Sequence, residues 1–118
     1  MTETFGTYLR IKRTKLQRSQ PGFSVRKLAA KIGIQPSYVS KVEREEVPPP
    51  SEATIQRIAT ELGENPDVLL ALAGKVSEDL RKVILKRPLL FAELIRQLKD
   101  APDHAVLRIV REVRDGKW

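Results

Sequence analysis

One short segment of this 118-residue sequence carries polar side chains at a spacing suited to binding a ligand. Spacings of three and four separate Ser37, Ser40, Lys41 and Arg44. Because residues at these spacings share one face of an α-helix, two hydroxyls and two cations should lie side by side. Lysine and arginine donate to guanine O6 and N7 in the DNA major groove, and serine adapts to several bases. The segment therefore favours contact with DNA.

Two short predicted helices, joined at Gly33, would position this face. Ser24 is of a residue type that commonly caps the N-terminus of a helix, and it is expected to cap the first of these two helices. Pro36 suits the first position of the second helix. Glycine at position 33 can adopt the left-handed conformation that a tight turn needs. Apolar residues recur at helical spacing through the pair: Leu28, Ala29, Ile32, Ile34, Val39 and Val42. This pattern is typical of a helix-turn-helix.

Two further residues of the second helix are candidate DNA ligands. Gln35 lies at its start, where recognition helices touch bases, so the predicted base-reading residues are Gln35, Ser37, Ser40 and Lys41. The alternative for Gln35 is a simple cap, and for the other three it is a solvated face. Tyr38 is expected to be half in the core and half at the surface, with a hydroxyl that can reach phosphate.

Positive charge is concentrated at the front of the chain. Residues 1–50 hold ten Lys and Arg against four Asp and Glu, so they contribute +6 of the total net charge of +7. A basic half of this kind is what binding to a phosphate backbone uses, because neutralised phosphates release condensed counterions. The alternative is a charged surface that serves only solubility.

The composition argues against other classes of protein. With no cysteine and one histidine, His104, the chain lacks the residues for a thiolate metal site, and no nucleophile and base can be assembled. We therefore expect no enzyme activity, no metal and no cofactor, and a surface position for His104. No apolar run reaches the roughly 20 residues of a membrane span, so we expect a cytoplasmic protein.

Helical spacing continues through almost the whole chain, so the predicted fold class is all-α. We expect a helix over Glu3–Leu16 and a loop at 17–22 ahead of the segment described above. After it, Ser51 caps a helix that ends at Leu62, and the segment Asn65-Pro66-Asp67 then caps a short helix over Val68–Ala73. Three amphipathic helices should follow, over Ser77–Lys86, Pro88–Lys99 and Pro102–Asp115.

The stretch FSVRKLAAKIGIQPSYVSKVEREEVPPPSEATIQRIATELGENPDVLLALAG resembles the lambda-repressor-like, or XRE-type, helix-turn-helix family, and the resemblance covers residues 5–74. It implies a five-helix domain that binds operator DNA as a dimer, with the third helix in the major groove. It also implies that Glu43 pairs with an arginine of the first helix, here Arg13, and that Arg44 approaches phosphate.

The sequence departs from the family at Val25, where members usually have a glutamine that binds phosphate. Arg26 or Lys27 is expected to supply that contact instead. The predicted phosphate contacts are therefore Arg26, Lys27, Tyr38 and Arg44.

The expected organisation is a DNA-binding domain at 1–74 and a helical extension at 75–118. Three amphipathic helices cannot bury their apolar faces alone, so we expect the extension to form a homodimer, with packing inside the chain as the alternative. The expected function is a transcriptional regulator, a repressor, that binds double-stranded DNA as a homodimer at a two-fold operator. The alternative is an antitoxin or adaptor whose extension holds a protein partner while residues 1–74 bind the promoter.

Overall fold

A computed structural model of the protein describes residues 3–116 and residue 118. Within these residues the chain forms eight α-helices, one 3₁₀ turn at Pro21–Phe23 and no strand, so the predicted all-α class is confirmed. The helices are α1 Phe5–Gln17, α2 Val25–Ile32, α3 Pro36–Glu43, α4 Glu52–Leu62, α5 Pro66–Leu72, α6 Glu78–Lys86, α7 Pro88–Leu98 and α8 Asp103–Arg114. None of the described helices is both long and apolar enough to cross a bilayer.

Three predicted N-caps are confirmed. The hydroxyl of Ser24 accepts from the backbone N–H of Lys27 at 3.2 Å, and that of Ser51 accepts from Thr54 at 3.4 Å. Asn65 accepts from Asp67 at 2.9 Å. Each bond satisfies one of the N–H groups that a helix start leaves without a partner.

Some helix ends differ from the predictions. α1 begins at Phe5 and not at Glu3, because Thr4 is the N-cap and accepts from the N–H of Thr7. α5 already begins at Pro66, directly after its Asn65 cap, and not at Val68. The helices beyond residue 77 agree with the predicted bounds to within one residue at each end.

The turn between α2 and α3 depends on Gly33. Its φ of 86° lies in the left-handed region, and the N–H groups of Gly33 and Ile34 both donate to the carbonyl of Ala29. These bonds satisfy the end of α2 and reverse the chain, so α3 can begin three residues later.

The chain divides into two compact units, residues 1–77 and residues 78–118. The first has a closed core in which Leu9, Leu28, Ile55 and Leu69 are at most 1% exposed. Buried or partly buried residues from α1 to α5 and from the 3₁₀ turn contribute to the same cluster. These five helices are the predicted lambda-repressor-like arrangement.

The first compact unit includes three residues beyond Gly74. Lys75 donates from Nζ to the carbonyl oxygen of Pro50 at 2.8 Å, and Ser77 is buried at 4% exposure. Residues 75–77 therefore belong with the first unit, because Lys75 bonds to the segment that precedes α4 and Ser77 is buried.

The second unit consists of α6, α7 and α8. None of the described residues from 78 onward is buried, although all three helices carry apolar stripes. Leu89 and Leu90 of α7 are 85% and 67% exposed. The predicted stripes are therefore present, and they lie at the surface of this chain.

We expect Gly6→Ala to destabilise the protein. Gly6 is buried in α1, and a Cβ there would clash with the carbonyl oxygen of Val42, a backbone atom that cannot move aside cheaply. Overpacking of this kind costs about 1–3 kcal/mol of unfolding free energy, which exceeds the gain in helix propensity. Urea denaturation measures the loss.

Gly22→Ala is the matched control. A Cβ at residue 22 would meet Nζ and Cε of Lys31, the far end of a flexible side chain and not backbone. Its unfolding free energy should stay within about 0.5 kcal/mol of the wild type. Equal losses in the two variants would show that α1 does not approach α3 as closely as described.

Candidate nucleic-acid interface

The outward face of α3 carries the residues predicted to read bases. Val39 and Val42 are 2% and 3% exposed and attach the helix to the core. On the other side Ser37 and Lys41 are exposed, and Ser40 is half-buried. Because one turn of helix rises about 5.4 Å, Ser37 and Lys41 lie one turn apart on the same face.

Gln35 occupies the N-cap position of α3, but its side chain makes no capping bond. Glutamine is not among the favoured cap residues, because its amide lies one methylene farther from the backbone than that of asparagine. The side chain is exposed at the start of the helix. The simple cap considered from the sequence is therefore not formed.

Tyr38 is half-buried and packs against the core cluster of the first unit. The sequence predicted this intermediate position. Its contact with phosphate stays a prediction.

An ion pair between α1 and α3 fixes the orientation of the outward face of α3. Arg13 donates from Nε to Oε2 of Glu43 at 2.6 Å and from a terminal guanidinium nitrogen to Oε1 at 2.9 Å. The two side chains are 8% and 5% exposed. Such a two-bond contact constrains both distance and direction. The pairing that the family resemblance implied is confirmed.

The other terminal nitrogen of Arg13 forms two further hydrogen bonds. It donates to the carbonyl of Phe23 at 3.2 Å and to the side-chain oxygen of Gln17 at 3.0 Å. Phe23 ends the 3₁₀ turn directly before the Ser24 cap of α2. One guanidinium therefore joins α1, the entry to α2 and the end of α3.

The first turn of α2 is basic. It contains no acidic residue, and Arg26 and Lys27 are both exposed there. A helix N-terminus carries partial positive charge, so these two cations and the end of the helix attract an anion at the same place. Cations so placed are slightly unfavourable for the isolated helix, and a bound phosphate would offset that cost.

Arg44, the fourth predicted phosphate contact, has a partner inside the protein. Its guanidinium forms an ion pair with the carboxylate of Glu46, and both side chains are more than half exposed. The backbone turns sharply at this point, since Glu45 has a φ of 62° and the N–H of Glu46 donates to the carbonyl of Lys41. The sequence reasoning missed Glu46, although three acids surround Arg44 between residues 43 and 46.

A second charged contact lies outside α3. Lys12 of α1 and Glu64, which follows α4, are 3.4 Å apart, and the ammonium is 5.3 Å from the centre of the Tyr8 ring. The hydrogen bond to Glu64, together with its negative charge, raises the pKa of Lys12 above the ordinary value. The contact joins α1 to the chain just after α4.

His104 is exposed on α8, as expected. Across the described residues no three histidine or acidic side chains come together as metal ligands.

Comparison with known proteins identifies the family. The profile of the XRE-type, lambda-repressor-like helix-turn-helix family matches residues 9–69, more than half of the chain. The protein belongs to this family, which consists of DNA-binding transcription regulators. The match includes α2, α3 and the pair formed by Arg13 and Glu43. No curated protein and no solved structure matched the chain.

We expect Glu43→Ala to lower the unfolding free energy by about 3–5 kcal/mol, because it leaves the Arg13 guanidinium buried without its carboxylate. The double variant Arg13→Met, Glu43→Leu should recover most of this loss, since it removes both charges and keeps apolar volume. Chemical denaturation measures both effects.

The control is Glu64→Ala, which breaks the more exposed pair with Lys12 and should cost much less. If the losses for Glu43→Ala and Glu64→Ala were equal, the buried pair would not be the main link between α1 and α3.

Proposed function

We propose that this protein is a sequence-specific transcriptional repressor that binds a two-fold operator as a homodimer, with α3 in the major groove. The observation that carries the proposal is the outward face of α3, held in one orientation by the buried pair of Arg13 and Glu43. A base-reading helix has to present its side chains at a fixed angle, because hydrogen bonds to base edges tolerate little displacement.

Direct readout is assigned to Gln35, Ser37, Ser40 and Lys41. Lys41 is the donor suited to guanine O6 and N7, and the serine hydroxyls can donate or accept. Gln35 is suited to a two-bond contact with adenine, and its exposed amide is free of a capping bond. The exposure of Gln35, Ser37 and Lys41 supports this assignment.

Contacts with phosphate are assigned to Arg26, Lys27, Tyr38 and Arg44. Arg26 and Lys27 adjoin the N-terminus of α2, so both the cations and the backbone dipole would attract the DNA backbone. Such contacts fix the register of the protein on DNA, and they make the affinity depend on salt.

Two copies are required because a single α3 spans few base pairs. In a homodimer two recognition helices enter successive major grooves about 34 Å apart, and the operator repeats the two-fold symmetry of the protein. A dimer bound at a promoter excludes other proteins from the same base pairs, so repression needs no further surface. Selection of binding sites from random DNA with the full-length protein would identify the operator.

Readout is tested with Lys41→Ala and Ser37→Ala. Each should lower affinity for the selected operator by about 1–3 kcal/mol and relax the preference at one position of each half-site. Lys15→Ala is the control, since it removes the same charge from an exposed position on α1, beside Leu62 and Glu64 and outside both α3 and the second unit. Binding titrations on the operator and on scrambled DNA measure the effect. Equal losses on both sequences would refute a base-reading role.

The pair of Arg44 and Glu46 generates a second prediction. Glu46→Gln should raise operator affinity several-fold at low salt, because it frees Arg44 for phosphate and removes a negative charge beside the DNA. Arg44→Ala should lower affinity and flatten the slope of log affinity against log salt by about one unit. In the Arg44→Ala background the gain from Glu46→Gln should be smaller.

Glu61→Gln provides the control, as it makes the same change of charge on α4. If it raised affinity as much as Glu46→Gln, the gain would come from net charge and not from release of Arg44.

A further inference from the structure

The second unit, α6 to α8, has helices but no core of its own. Its best-covered apolar side chains are only half-buried, among them Ile84, Phe91, Leu98 and Ile109. Ten larger apolar residues are 40–85% exposed: Leu80, Val83, Leu85, Leu89, Leu90, Leu94, Ile95, Leu107, Val110 and Val113. Helices of 9 to 12 residues are marginal alone in water, so packing of their apolar faces must stabilise them.

The unit is also too small to supply that packing alone. It spans residues 78–118, and chains of about 40 residues normally fold only with disulfides, a bound metal or oligomerisation. The sequence has no cysteine and one histidine, so it cannot form a disulfide or the usual zinc site. The remaining means are packing against another part of the chain and oligomerisation, and none of the described residues from 78 onward is buried by packing of the first kind.

The exposed apolar area has the size that a stable dimer needs. Fully burying one large aliphatic side chain corresponds to about 60–120 Å² of apolar surface. Ten such side chains, on average a little more than half exposed, therefore present about 500 Å² per chain. A standard interface buries about 800 Å² per partner, of which about 65% is apolar in homodimers. The two areas agree.

The charges of the unit favour a second copy over a strongly charged partner. Residues 78–118 hold ten bases and seven acids, distributed over all three helices. Several are already paired along their own helix, such as Glu78 with Lys82 and Arg108 with Glu112. Within the part of this unit that the structure describes, each helix carries both signs of charge, so no rim of one sign selects an acidic or basic ligand. A mixed surface suits contact between identical patches, where acids of one copy meet bases of the other.

We propose that α6, α7 and α8 complete their core against the same three helices of a second copy, so that folding of this unit is coupled to dimerisation. This dimer rests on the proposed function in one respect, because binding at a two-fold operator requires two copies of the protein on the same DNA. When dilution dissociates the dimer, residues 78–116 unfold while residues 3–77 stay folded. Affinity for the full operator then falls with dissociation, since each monomer keeps only one half-site.

Leu94→Lys in the full chain tests this inference. Leu94 lies on α7, where it lines an apolar cavity of about 210 Å³ with Arg87, Leu90 and Phe91. Gln97→Lys is the matched control, because it adds the same charge to the same helix and lies four residues from Glu93, at a favourable spacing. Sedimentation equilibrium gives the dimer dissociation constant, and hydrogen exchange gives protection of each helix.

We expect the wild type and Gln97→Lys to be dimers at micromolar concentration, with protected amides in α6 to α8. Leu94→Lys should weaken dimerisation by about 100-fold or more, because a charge would be buried in the interface. It should lose protection in these three helices and keep it in α1 to α5. When the wild type is diluted, the amides of α6 to α8 should lose their protection from exchange over the same concentration range in which the dimer dissociates.

A wild-type protein that is monomeric at about 100 µM, roughly a hundred times a dissociation constant of about 1 µM, would overturn the inference. If that monomer still protected the amides of α6 to α8 from exchange, these helices would pack inside the chain. If it did not protect them, the helices would need a different partner. A dimer that Leu94→Lys leaves intact would also overturn it. The proposed function is judged separately: monomeric Leu94→Lys should still bind a single half-site, and loss of all DNA binding by the wild type would refute that function alone.

Discussion

The buried contact between Arg13 and Glu43 is the constraint on which the rest of the DNA-binding unit depends. Removing two charges from water is costly, and the attraction between them offsets that cost only when the geometry is good and the other donors are satisfied. Here both carboxylate oxygens are used, and the guanidinium also bonds to Gln17 and to the carbonyl of Phe23. An apolar pair could pack as well, but it would not fix the angle of α3.

The two units show that one sequence pattern can have two outcomes. α4 and α7 are both eleven residues long and amphipathic, yet α4 buries five residues and α7 buries none. The difference lies in what surrounds them, because α4 packs against α1, α2 and α5, whereas α7 packs mainly against α6. Apolar residues at helical spacing predict a helix face that must be buried, but they do not identify the surface that buries it.

The parts of the fold that sequence predicted well are those fixed by local chemistry. Ser24, Ser51 and Asn65 cap helices through bonds that reach only two or three residues, and Gly33 ends α2 through its own φ. The pair of Arg13 and Glu43 joins residues 30 apart, so only the family resemblance indicated it. Glu46 was missed because its contact with Arg44 depends on the left-handed turn at Glu45, which no glycine marks in the sequence.

We propose that α3 and the first turn of α2 form the surface that contacts DNA. The most direct measurement is the change in backbone amide chemical shifts of the full-length protein as double-stranded DNA is added. The account predicts the largest changes at Ser37, Ser40 and Lys41, with further changes at Arg26, Lys27 and Arg44, and little change in α6 to α8. Changes concentrated in α4 and α5 or in residues 78–116, with α3 unaffected, would contradict it.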